Sequence, residues 1–192
     1  MEPPEKAKAI SVYEFCRKWM PVLYKKKLYQ PSCGLKYPGD IGFVQQAAVF
    51  LAELLPETGS VSSYKNYLSG RQEDTPTQKM LEVLLGQLDY MWSSTNRINL
   101  ISPLSDSLEM FCKKWSKIWW LKPSYSKSDM ARFISWILAM SPKDCLNLID
   151  SYNFRNATRI RLLLFYLAAL EESWHLYLYH LHLSTNTFRK RA

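Results

Sequence analysis

Two hexapeptides, EFCRKW at 14–19 and MFCKKW at 110–115, carry Phe, Cys, a basic pair and Trp in the same order, with Phe15 and Phe111 96 positions apart. A segment that recurs within one chain limits the architecture, because each copy must bury the same stripe in a similar setting. Around the first copy, Val12, Phe15, Cys16, Trp19 and Leu23 fall at helical spacing. Leu108, Phe111, Cys112, Trp115 and Trp119 do the same around the second. Each set forms one apolar stripe, with Arg17-Lys18 and Lys113-Lys114 turned away from it.

The recurrence extends downstream. Two polar Pro-Ser linkers follow, QPSCGLKYPGD at 30–40 and KPSYSKSD at 122–129, and each ends in an aspartate suited to cap a helix. Apolar helices are predicted over 41–56 and 130–142, each stopped by proline. A third pair, 78–92 and 160–174, aligns with a constant shift of 82, pairing Leu81 with Leu163, Leu85 with Leu167, Asp89 with Glu171 and Trp92 with Trp174. These elements predict an all-α protein of two similar three- to four-helix halves, an internal duplication packed together, with 1–100 as the first helical repeat and 104–192 as the second. The last helix is expected to run long, although HLYLYHLHL alternates and leaves a terminal strand as the other reading. SPLSD at 102–106 and TFRKRA at 187–192 are expected to be exposed. Trp119 or Trp120 is expected to fill the apolar interface between the halves.

Hydrophobic content of 47% with 6 glycines suits a packed core. The 7 Trp and 12 Tyr are more rings than such a core requires, which leaves some for a surface. The net charge of +8 divides as +2 over 1–102 and +6 over 103–192. A basic second half suits nucleic acid, an acidic protein or an anionic membrane, or is ordinary solubilising charge. Cys16, Cys33, Cys112 and Cys145 form no Cys-x-x-Cys pair, and MEPPEKAKAISVYEF lacks the basic-then-apolar order of a signal peptide. Free thiols in a reducing, cytoplasmic setting are therefore expected, with nuclear entry open to the chain. The apolar run LLLFYLAAL at 162–170 is far short of the roughly 18–20 residues that span a bilayer. Asn156-Ala157-Thr158 matches a glycosylation acceptor, a match attributed to chance without a leader.

No glycine-rich phosphate loop, G-x-S-x-G, H-E-x-x-H or paired-carboxylate motif occurs, so no enzyme and no cofactor are expected. His175, His180 and His182 invite a metal reading, but successive members would lie about 140° and about 200° apart around a helix, so no metal is expected. The best surface candidates are Lys113, Lys117 and Trp120, spaced i, i+4, i+7 away from Phe111 and Trp115. Their counterparts in the first half are Arg17 and Tyr24, interrupted by Pro21. A large ring beside lysines suits a protein partner or a stacked nucleic-acid base. It equally suits packing of Trp120 between the halves.

The second half runs KPSYSKSDM, ISWILA, SPKDCLNLIDSY and then LLLFYLAALEESW. This order resembles the C-terminal helical region of the paramyxovirus C proteins, non-structural accessory proteins, particularly the morbillivirus branch. The residues that carry it include Pro123, Ser124, Trp136, Ile137, Leu138, Ala139, Pro142, Lys143 and Asp144, and the ending at Glu171, Glu172, Ser173 and Trp174 is similar to the respirovirus branch. The likeness covers roughly a third of the chain. Family members usually begin with a basic, Ser-rich disordered segment, whereas this chain starts a helix by about residue 10. The resemblance implies a non-enzymatic accessory protein that antagonises interferon signalling and moderates viral RNA synthesis. Its partners would be a host signalling protein or a polymerase or nucleoprotein component. A basic helical RNA-associated protein and a cellular adaptor are the alternative readings.

Overall fold

A computed structural model describes residues 3–28, 42–70, 75–121, 126–152 and 157–191, with side chains through residue 182. It is all-α among these residues, with eight helices: α1 Val12–Lys25, α2 Phe43–Leu54, α3 Val61–Leu68, α4 Pro76–Thr95, α5 Leu108–Trp119, α6 Lys127–Leu138, α7 Pro142–Asp150 and α8 Thr158–Arg191. The alternating HLYLYHLHL run continues α8 instead of forming a strand. Trp174, Tyr177 and Leu178 keep the i, i+3, i+4 spacing that packs a helix, and all three lie in or against the core.

Local chemistry sets the helix starts. Ser11, Thr75, Ser107, Ser126 and Ser141 each accept the backbone N–H three residues on, and Ser60 does so within a reciprocal pair with Ser63. The cap of α6 is therefore Ser126, and Asp129, the sequence candidate, is the residue whose N–H is capped. Asp40, the other candidate, lies outside the described residues, as do the whole of the first linker and residues 122–125 of the second. Pro142 does not stop a helix but opens α7, where its missing N–H costs nothing. What ends α6 is Ala139, in the left-handed conformation at φ 54°. The short helices α3 and α7 carry only two buried side chains each, Tyr64 and Leu68, and Cys145 and Leu148.

Helices α4 and α8 pack together at the centre, α2 lies on α3, α6 on α7, α1 against α2, α3 and α4, and α5 on α6. One continuous apolar core joins them. Two extended segments cross the α4–α8 pair. Ile10 donates its N–H to the Glu82 carbonyl at 3.2 Å, and Leu104 donates to Leu164 at 3.1 Å. Pro103 and Leu104 of SPLSD are accordingly half-buried rather than exposed. The exposure of TFRKRA lies outside the described side chains. Lys8 and Ala9 press so close to α4 that a Cβ on Gly86 would sit 2.0 Å from the Lys8 carbonyl oxygen. Arg161 on α8 pairs with Glu57 in the α2–α3 turn at 3.0 Å. Trp119 and Trp120 do not fill this junction. Trp119 stacks on Trp115 and meets Trp174 edge-on and Tyr177 at a tilt, and Trp120 meets Phe133 and Trp136, all on α5, α6 and α8.

Candidate functional site

The two hexapeptides make parallel contacts. The Trp19 indole donates to Asp89 at 2.8 Å, and the Trp115 indole donates to Glu171 at 2.8 Å. Lys18 pairs with Asp89 at 2.7 Å and reaches Ser93, while Lys114 lies 3.8 Å from Glu171 and reaches His175. Trp19 packs edge-on against Trp92 at 5.2 Å, and Trp115 packs at a tilt against Trp174 at 5.0 Å. Phe15 meets Phe50 at 6.5 Å and Phe111 meets Phe133 at 6.4 Å. One lysine, the Trp and the Cys of each copy are thus spent on internal packing. Burial pushes the Cys16 thiol up, and pushes Cys112 up to about 12 and Cys145 to about 11, with Asp144 adding to the last. Protonated, buried thiols are poor nucleophiles.

The other basic residue of each copy faces outward. On α5, Lys113 and Lys117 are exposed, and Lys113 pairs with Glu109 one turn back at 2.7 Å. Trp120 closes this face as the helix cap, its ring 37% exposed and edge-on to Phe133 at 5.1 Å. Two residues passed over in the sequence extend the face: Met110, 61% exposed, and Leu121, 77% exposed. Leu121 also sits in the left-handed region at φ 56°. Only the helical register of Met110 pointed to it; the conformation of Leu121 left no mark on the sequence. Arg17 and Tyr24 are exposed on α1, where Arg17 donates to the Tyr13 hydroxyl at 3.0 Å. Because α1 packs on α2–α4 and α5 on α6, the five candidates form two patches rather than one.

The remaining features are less specific. Two adjoining open clefts of about 500 and 530 Å³ share Pro76, Met80, Met140 and Asp144 between the start of α4 and the α6–α7 turn. The histidines are used as polar neighbours: His175 lies edge-on to Trp115 at 5.1 Å, and His180 beside Tyr179. Among the described residues, no three His, Cys, Asp or Glu side chains are grouped to hold a metal, and no helix is long and apolar enough to cross a membrane. No protein-family model, no curated protein and no solved structure matches this chain.

Proposed function

We propose that the chain is a non-enzymatic binding module that docks a partner protein on the outer face of α5. Leu121 carries this reading. A leucine 77% exposed and held at φ 56° is unfavourable for solvation and for backbone, the second by about 1–2 kcal/mol. Glycine or asparagine there would relieve both. A side chain kept in that position beside Trp120 and Met110, with Lys113 and Lys117 between them, suits an apolar anchor ringed by cations. Such a face complements an acidic partner surface. The resemblance to the paramyxovirus C proteins makes that partner a host signalling protein or a component of viral RNA synthesis, and the outcome interference with innate immune signalling.

The reading includes an internal duplication. Supporting it are the matched contacts of Trp19 with Trp115, of Lys18 with Lys114 and of Asp89 with Glu171, together with caps at Ser11 and Ser107 that are also 96 positions apart. On this view the first copy kept the fold, and the second gained the exposed Met110, Trp120 and Leu121.

The test is capture from cell extract, with and without nuclease, by the wild type, by Trp120→Ala/Leu121→Gly and by Lys113→Glu/Lys117→Glu. Proteins retained after nuclease and lost with both variants support the reading. Capture that vanishes with nuclease favours the nucleic-acid alternative. Capture unaffected by either variant removes the α5 face from consideration.

A further inference from the structure

The segment before α1 has no regular structure, yet it is seated in a defined groove. Pro3, Pro4, Glu5 and Lys6 lie against Gln87 of α4, Trp136 and Ile137 of α6, and Tyr166, Leu170 and Trp174 of α8, leaving a void of only about 40 Å³. Trp136 is half-buried, and the Lys6 ammonium lies 5.0 Å from the centre of its ring. Lys6 is exposed overall, and the partial desolvation it meets at the groove lowers its pKa. Tyr166, buried in the floor, directs its hydroxyl to the Ile137 carbonyl at 3.4 Å. Further along, Lys8 abuts Gly86 and Ile10 bonds to Glu82.

The chemistry of groove and segment is matched in kind. Consecutive prolines have φ fixed near −65° and no N–H to satisfy, so an extended proline pair costs little entropy and demands no backbone partner from an apolar groove. Ring-lined grooves recognise such segments elsewhere in this way. A lysine over a tryptophan face adds a cation–π contact, worth about 0.5–1 kcal/mol where solvent reaches it. Among the described residues, one backbone hydrogen bond, that of Ile10, ties residues 3–10 to the helices, and it lies on α4, away from Trp136. The proline end is therefore held by packing and the Lys6–Trp136 contact, with no backbone hydrogen bond to the helices among the described residues.

We propose that the groove between α6 and α8 is a docking site for an extended Pro-Pro-acidic-basic segment of a partner protein, and that residues 3–6 of this chain occupy it in cis as a competitor. The groove adjoins the outer face of α5, because Trp136 also meets the Trp120 ring, but its argument does not depend on the reading given for that face. A segment of this composition is the only occupant for which the structure supplies a seated example. Access by a partner is then governed by the fraction of molecules whose own prolines have left the groove.

The test titrates a fluorescent peptide, PPEKAK, into the full chain, reading anisotropy. The apparent Kd scales inversely with the open fraction, so Pro3→Asp/Pro4→Asp/Lys6→Glu in the full chain is expected to tighten peptide binding at least about tenfold over wild type. Adding Trp136→Ala to that variant is expected to remove the gain. Equal affinity for wild type and variant, no binding by the variant, or binding that survives Trp136→Ala would each overturn the proposal. Thermal melts check that the variants are folded. If the triple change melts early, Lys6→Glu alone, at an exposed side chain, carries the same comparison with an expected gain of about threefold.

Discussion

The indole N–H of Trp19 points at the Asp89 carboxylate across 2.8 Å, bringing a hexapeptide in α1 onto the last turns of α4. The ring supplies packing and the N–H supplies a charge-assisted bond in a partly buried setting. Trp19→Phe keeps most of the packing and leaves Asp89 with Lys18 alone. The expected loss is about 1–3 kcal/mol, against about 3–5 kcal/mol for Trp19→Ala, which also opens a cavity. Trp115→Phe and Trp115→Ala are expected to follow the same order through Glu171. A double-mutant cycle of Trp115→Phe with Glu171→Ala, which removes the acceptor, read by urea denaturation, checks this. Zero coupling would mean that the bond contributes nothing to stability.

The raised thiols set a direction for pH dependence. A thiol in the unfolded chain loses its proton near pH 8.5, whereas burial holds Cys112 protonated up to about 12 and Cys145 up to about 11. Between those values the folded state binds more protons than the unfolded one. Stability is therefore fully present below about pH 8.5 and falls as pH rises, by about 1.4 kcal/mol per pH unit for each such thiol. Urea midpoints at pH 7.5 and pH 10 should show the fall, and Cys112→Ala should lessen it by about a third, since Cys16 and Cys145 are raised as well. The same burial predicts slow native-state labelling of Cys16 and Cys112. Rapid labelling of both would place the hexapeptide stripe at the surface.

What the sequence made legible was whatever repeats with helical period. Phe15, Cys16 and Trp19, and their later partners, declared α1 and α5 because each stripe is long and one-sided. α3 was not read, since two buried side chains, Tyr64 and Leu68, are too few to show a period. Pro142 misled because proline is as suited to a first turn as to a stop, and only the φ of Ala139 and the cap at Ser141 distinguish the two. Residues 3–10 had no pattern at all. Their seat depends on Gly86 and Trp136, distant in sequence, and no local signal encodes a contact of that kind. The lysines of the candidate face were readable from register, but the exposure of Leu121 comes from a backbone conformation invisible in composition.

Leu121 offers a test in which stability and function move in opposite directions. Leu121→Gly removes a left-handed strain worth about 1–2 kcal/mol and exposes less apolar surface, at the cost of extra freedom in the unfolded chain. The expected net change in stability is neutral to favourable, by up to about 1 kcal/mol. Capture of the partner should weaken in the same variant. A Leu121→Gly protein that is markedly less stable would show that this leucine serves the fold.

Gly86→Ala sets helix propensity against a backbone clash. Alanine is favoured over glycine inside a helix by about 1 kcal/mol, but its Cβ would lie 2.0 Å from the Lys8 carbonyl oxygen. The helix is the stiffer element, so residues 8 and 9 must move. The loss is bounded by what the extended segment contributes, and the net change is expected to stay within about 2 kcal/mol. The specific outcome is local: hydrogen exchange at the Ile10 amide, protected by Glu82, should accelerate while the amides of α4 and α8 stay slow. An Ile10 amide that remains protected would show that the segment tolerates the methyl group without leaving α4.

Unfolding tests how far the two runs of four helices depend on each other. Each run comprises roughly 90 residues, a size that buries a core only marginally. Their junction is the α4–α8 pair, whose buried side chains include Leu84, Leu85, Leu88, Leu163 and Leu167, with Gly86 giving close approach to the crossing segment. Separating the runs would expose that seam and break the Lys6–Trp136 contact, along with the Arg161–Glu57 pair. Neither run has another surface on which to bury those leucines. One cooperative transition is therefore expected, with helical circular dichroism and tryptophan fluorescence coincident in urea. Leu85→Ala or Leu167→Ala should shift that single transition by about 2–5 kcal/mol without splitting it. Two resolved transitions, one reporting Trp19 and Trp92 and the other Trp115 and Trp174, would make each run a domain in its own right and the α4–α8 seam a contact between domains.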